Sequence, residues 1–138
     1  MVVTALNRRA FCFAILPLAA APDDHTDRTD VTEMFGAFAA SLSEENPLAA
    51  MKWVDPAMPG RETLQRVLVS LVEKYEVSTA ISMLSMDVPE VRLDWFLELK
   101  LRGSTEPVER RRMNIRCEVE KKKNGWRIKK MEPVSFFQ

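Results

Sequence analysis

The sequence predicts an α+β fold: about three N-terminal helices packed on a curved, four-stranded antiparallel sheet. Three observations carry this expectation. Apolar residues recur with helical spacing as far as Tyr75, and from Val77 onward the period drops to two. The Lys123-Asn124-Gly125 turn then joins two alternating segments as a hairpin, which makes the second half a meander.

Asp30 with Glu33 reads as a capping box that opens the first helix, in which Val31, Met34, Phe35, Phe38 and Leu42 form one stripe. Asn46-Pro47 ends it and starts a short second helix, because Asn46 can cap and Pro47 needs no amide donor at the first helical position. Leu48, Met51 and Val54 share one side of that segment, and Asp55-Pro56 stops it. After the Pro59-Gly60 turn, Leu64, Val67, Leu68, Leu71, Val72 and Tyr75 give the strongest helical stripe of the chain.

Val77 to Leu84 reads as the first strand, being β-branched and apolar-rich. In the next strand Val91, Leu93, Trp95, Leu97, Leu99 and Leu101 alternate with polar or charged residues, except at Phe96. Met113, Ile115, Cys117 and Val119 alternate in the same way, and Trp126 to Met131 forms the last strand before Pro133. Charge matching sets a register in which Leu97 faces Met113, Trp95 faces Ile115 and Leu93 faces Cys117. That register also pairs Glu98 with Arg112, Asp94 with Arg116, and Arg92 with Glu118. In the last hairpin Val119 faces Ile128, Glu120 faces Arg127 and Glu118 faces Lys129. A bulge near Lys129-Lys130 then restores Met131 to the apolar face.

The first 21 residues differ in kind. They hold no acid, carry Arg8 and Arg9, and run through Phe11-Cys12-Phe13-Ala14-Ile15-Leu16 to Ala19-Ala20-Ala21. A basic start, a short apolar run and a small-residue exit make an export signal, with cleavage after Ala21 and a periplasmic or extracellular destination. The Arg8-Arg9-x-Phe11 core resembles the twin-arginine type. The apolar run is too short for a stable membrane span, which needs about 20 residues. Residues 22–29 read as a flexible polar leader holding His25, and residues 30–138 as the single domain. Removing Arg8 and Arg9 from the 20 basic residues leaves 18 against 20 acidic ones, and cleavage also removes Cys12. Cys117 is then a lone thiol on the apolar face of a central strand, a structural residue rather than a nucleophile.

The segments Ala57-Met58-Pro59-Gly60, Val91-Arg92-Leu93-Asp94-Trp95-Phe96-Leu97, and Trp126-Arg127-Ile128 running to Pro133-Val134-Ser135-Phe136-Phe137, in this helix-then-strand order, resemble the nuclear transport factor 2-like superfamily. That resemblance implies a cone-shaped fold over about Asp30 to Phe137. Its members include small-molecule isomerases and dehydratases as well as proteins that only bind ligands or dimerise. The enzymes of the superfamily set Asp, His or Tyr inside the cone. Here the corresponding face reads Val91, Leu93, Trp95, Leu97, Met113, Ile115, Cys117 and Val119, with no acid, base or hydroxyl.

A non-catalytic binding or dimerisation domain is therefore the first functional expectation, with no catalytic residue, cofactor or metal assigned. The alternative is an isomerase- or dehydratase-like enzyme acting on an apolar small molecule through Asp55 or Tyr75. Trp53, Asp55, Tyr75, Trp95 and Met113 are the expected pocket-lining residues, and a small apolar molecule is the expected ligand. The sequence has no Gly-rich phosphate loop, metal-ligand spacing or nucleophile–base pair. The basic run Arg110-Arg111-Arg112, Arg116, Lys121-Lys122-Lys123, Arg127, Lys129 and Lys130 reads as a solvated face matched by Glu98, Glu118 and Glu120, and export argues against nucleic acid. The outer sheet face, with Phe96 exposed among charges, is the expected homodimer surface.

Overall fold

The computed structural model describes residues 20–138, with side chains from His25 onward. The export-signal reading, including Arg8, Arg9 and Cys12, rests on residues 1–19 and lies outside the described residues. The chain divides into two units, Met1–Asp30 and Val31–Gln138. In the described part of the first, the backbone is helical and Thr29 Oγ1 donates to the His25 carbonyl at 3.2 Å.

The elements in chain order are α1 (Ala20–Ser43), α2 (Pro47–Met51), α3 (Arg61–Lys74), β1 (Tyr75–Asp87), β2 (Glu90–Leu101), β3 (Glu109–Lys122), β4 (Gly125–Glu132) and a short 3-10 helix (Val134–Phe137). Three helices and one antiparallel sheet in the order β1-β2-β3-β4 give the expected α+β architecture.

The first helix does not start at Asp30. Its backbone is already helical from Ala20, through the segment expected as a leader. Carbonyls one turn upstream take the amides that the Asp30–Glu33 box was to cap, and both side chains stand exposed. The expected stripe is nevertheless the buried one: Val31, Met34, Phe35, Phe38 and Leu42 are at most 3% exposed. In α2, Asn46 caps as expected by accepting the Ala49 amide at 3.2 Å. Leu48 is a correction: it is 60% exposed, while Met51 and Val54 go inward. Helix α3 buries Leu64, Val67, Leu68, Leu71 and Val72. Gly60 precedes it with φ 79°, a left-handed conformation that glycine adopts without steric cost. Tyr75, expected as the end of the helical stripe, is instead extended (φ −126°, ψ 150°) and opens β1.

The faces of the sheet follow the predicted alternation, but the β2–β3 register is two residues away from the expected one. Leu97 faces Arg111, Trp95 faces Met113, Leu93 faces Ile115 and Val91 faces Cys117. A two-residue slip keeps every side chain on its face, so apolar burial does not choose between the two registers. The expected choice rested on exposed charge pairs, each contributing only about 0.2–1 kcal/mol, too little to set a register against tertiary contacts. The observed register places Arg92 opposite Arg116 and Glu90 opposite Glu118. Acidic residues lie two positions away along the facing strand, so Arg92 and Arg116 each have an acidic diagonal neighbour across the pair.

The last hairpin agrees closely with expectation. Val119 faces Ile128, Glu120 faces Arg127 and Lys122 faces Gly125, with a register shift that leaves Lys129 unpaired and Cys117 opposite Met131. Glu118 therefore faces Lys130 rather than Lys129. Met131 is 4% exposed and belongs to the core, as the bulge requires.

Candidate functional site

Trp95 is the largest fully buried side chain among the described residues. It has Phe38 and Phe137 edge-on to it at centroid distances of 5.5 and 5.2 Å. Its indole N–H donates to Thr79 Oγ1 at 2.7 Å, and that hydroxyl donates to the Phe96 carbonyl at 2.8 Å. The polar atom of a buried tryptophan is thus satisfied from the edge strand β1, and the ring serves as packing.

The space between helices and sheet where the family resemblance implies a pocket is filled here by Trp95, Phe35, Phe38 and Phe137. A cleft of about 240 Å³ opens beside this cluster, between the C-terminal half of α3 and the final 3-10 helix. Val67, Leu71 and Phe137 form its apolar wall, and Ser70, Lys74, Tyr75, Arg111 and Gln138 supply its polar groups. Lys74 Nζ lies 5.8 Å from the centre of the Tyr75 ring, close enough for a cation–π contact.

Of the expected pocket residues, Tyr75 lines this cleft and the other four do not. Trp53 sits by the last hairpin, with the Arg127 guanidinium 5.5 Å above its ring, and its carbonyl accepts the Ile128 amide at 2.7 Å. Asp55 follows it and is nearly buried, at 6% exposure. Its amide donates to the Ile128 carbonyl (2.9 Å), Oδ1 accepts the Ala57 amide (2.8 Å), and Oδ2 pairs with Lys122 Nζ (3.1 Å). The Ala57 amide first, and then Lys122, hold the Asp55 carboxyl below the ordinary aspartate range. Asp55 borders a separate hollow with Ala57, Pro59, Glu118, Lys129 and Lys130. It works as a clamp between the α2–α3 connection and the β3–β4 hairpin.

Met113 is also a correction. It lies on the inner face as parity requires, yet it is 42% exposed. The reason is that β4 stops pairing at Arg116, so β3 has no strand beside it at Met113 on the side away from β2.

Sequence reading missed Arg111. It belongs to the basic run of the sequence, but its odd number puts it on the inner face of β3, opposite Leu97. The parity that placed Met113 inward places Arg111 there too, so the signal was present.

On the outer face Arg110 pairs with Glu98 (3.0 Å) and Arg112 with Asp94 (2.7 Å), in place of the expected Arg112–Glu98 and Arg116–Asp94 pairs. The Arg112 hydrogen bonds hold the Asp94 carboxyl below its usual range. Phe96 among these charges is half-buried rather than exposed. Among the described residues no group of three or more His, Cys, Asp or Glu is placed to hold a metal ion, and no helix is long and apolar enough to cross a membrane.

No protein-family model and no curated protein matches the chain. Solved structures do. A conserved protein from Planctomyces limnophilus DSM 3776 superimposes with a TM-score of 0.68, at 10% identity, over 78% of this chain and 94% of that one. A protein from Novosphingobium aromaticivorans DSM 12444, described as a putative scytalone dehydratase, gives 0.66 at 13% identity, over 80% of this chain and 84% of that one. A putative dehydratase of the NTF2-like family from Streptomyces avermitilis gives 0.60 at 13% identity, over 78% and 94%. The fold is nuclear transport factor 2-like. At these identities the likeness carries the NTF2-like fold and not a chemistry, since proteins of one fold differ in the site they carry.

Proposed function

We propose that the chain is an exported, non-catalytic NTF2-like binding domain that takes a small, largely apolar ligand in the cleft between α3 and the C-terminal 3-10 helix. The observation that carries this reading is the make-up of the cleft: an apolar wall of Val67, Leu71 and Phe137, with Ser70, Lys74 and Tyr75 at its polar side. Such a surface favours an amphipathic molecule, with the apolar part against the wall and the polar part toward Lys74 and Tyr75. The mixed-sign outer face around Phe96 supports a second copy of the chain as the partner, because alternating charges can be self-complementary about a two-fold axis.

The alternative, an isomerase- or dehydratase-like activity on an apolar small molecule, draws on the names of two of the similar structures. It would have to rest on Tyr75, because Asp55 borders a different hollow and is committed to Lys122 and Ala57.

Amide and side-chain NMR during titration with hydrocinnamate tests the binding reading. Saturable shifts at Leu71, Ser70 and Tyr75 that Tyr75→Ala and Lys74→Ala weaken are expected; a titration leaving these signals unmoved would remove the cleft as a site. N-terminal sequencing of protein recovered outside the cytoplasm tests export, with a start near Pro22 expected. Small-angle scattering across a concentration series tests the dimer.

A further inference from the structure

Arg111 places a guanidinium on the apolar face of β3, and the final turn of the chain occupies it. Arg111 Nη1 donates to the main-chain oxygens of Phe136 (3.0 Å) and Gln138 (2.9 Å), while Nε donates to Glu109 (2.6 Å). Phe137, between those two residues in sequence, is 1% exposed and lies edge-on to Trp95, at 86° between ring planes. The turn therefore presents an aromatic ring to Trp95 and oxygen acceptors to Arg111, and Arg111, Phe137 and Gln138 all line the cleft.

The turn has few backbone bonds of its own and is held in place by the burial of Phe136 and Phe137 and by Arg111. Its own backbone bonds are Phe136 N–H to the Pro133 carbonyl at 3.4 Å and Gln138 N–H to the Ser135 carbonyl at 3.0 Å. A ligand carboxylate at Arg111 would make charge-assisted bonds, about twice as strong as the bond to the neutral Phe136 carbonyl that it displaces.

We infer that the C-terminal turn is an internal stand-in for the ligand, and that the ligand class is a small aromatic carboxylate. In the bound state the ligand ring replaces Phe137 against Trp95, and its carboxylate replaces the Phe136 and Gln138 main-chain oxygens on Arg111. Lys74 at the rim adds a second positive charge. This inference rests on the cleft being a binding site and adds the identity of what binds.

The test is titration of the whole protein and its variants with hydrocinnamate, followed by NMR and calorimetry, with toluene as the uncharged control. In the wild type, hydrocinnamate should shift the Trp95 indole N–H and the Phe137 ring together with Leu71 and Tyr75. Phe137→Ala, which vacates the ring position, should bind hydrocinnamate at least about tenfold more tightly than wild type. Adding Arg111→Gln should abolish that gain and leave toluene binding by Phe137→Ala unchanged. Shifts at Leu71 and Tyr75 with Trp95 and Phe137 unmoved would overturn the stand-in while leaving the cleft as a site. Silence in the wild type and in Phe137→Ala would remove both. Should Phe137→Ala fail to fold, the wild-type titration decides the question: joint shifts of the Trp95 indole N–H and the Phe137 ring support the stand-in, and shifts confined to Leu71 and Tyr75 overturn it.

Discussion

Lys122 Nζ lies 3.1 Å from Asp55 Oδ2, and the two residues join the loop before α3 to the end of β3. The pair is supported from below by the Ala57 amide on Oδ1. Asp55→Ala should lower the thermal midpoint by several degrees, and Asp55→Asn by less, because asparagine keeps an acceptor for Ala57. The pH dependence has a definite sign. The folded-state pKa of Asp55 lies below the ordinary value of 3.8, so its contribution is complete above that value and is lost as pH falls through the lower, folded one. The wild-type advantage over Asp55→Asn in urea midpoint should be constant at neutral pH and shrink in acid. An advantage that persists unchanged into strong acid would contradict the clamp.

Thr79 Oγ1 accepts the Trp95 indole N–H at 2.7 Å, and Trp95 is fully buried. Thr79→Val keeps the shape and removes the acceptor. Leaving a buried donor unsatisfied costs about 1–3 kcal/mol, to be read from urea unfolding of the two proteins. Thr79→Ser, which retains the hydroxyl, should recover most of the loss.

Burial pushes the Cys117 thiol up to about 12. Site-resolved mass spectrometry after iodoacetamide treatment at pH 8 should find Cys117 unmodified in native protein and fully modified in urea. Fast native labelling would place it at the surface and contradict the strand face assigned to it.

Arg92 and Arg116 face each other across β2 and β3 on the outer face. Like charges directly opposite destabilise a strand pair, so Arg92→Thr should raise stability by about 0.2–1 kcal/mol in equilibrium unfolding. Under the register expected from charge matching, Arg92 would face Glu118 and the same change would destabilise. The sign of this one substitution separates the two registers in solution.

Periodicity makes the apolar faces of α1 and α3, the alternation of β2 and β3, and the bulge at Lys129 legible in the sequence, because burial acts on whole stripes. The β2–β3 register was not legible. Two candidate pairings put the same residues in the core, and the surface charges that separate them are worth too little to decide. The start of α1 was missed because Asp30–Glu33 is a capping pattern that an upstream helical turn makes redundant. The cleft was the least legible feature. It depends on where Val134–Phe137 folds back, and that is fixed by Arg111 reaching across to the main-chain oxygens of Phe136 and Gln138.

The run Ser78–Met86 contains neither a charge nor a proline, and it forms the outer strand β1. Natural edge strands are commonly guarded by lysine, proline or a covering segment. Here Leu84 is 52% exposed and the Thr79 amide is taken by the Ser43 hydroxyl at the end of α1, at 3.2 Å. During synthesis this stretch emerges before β2, its neighbour in the sheet, and the completed α1 is a shield already available to it. Substitutions that fray the last turn of α1 should therefore betray themselves first as fibrillar or amorphous deposits during expression, before the surviving protein shows any defect in the cleft.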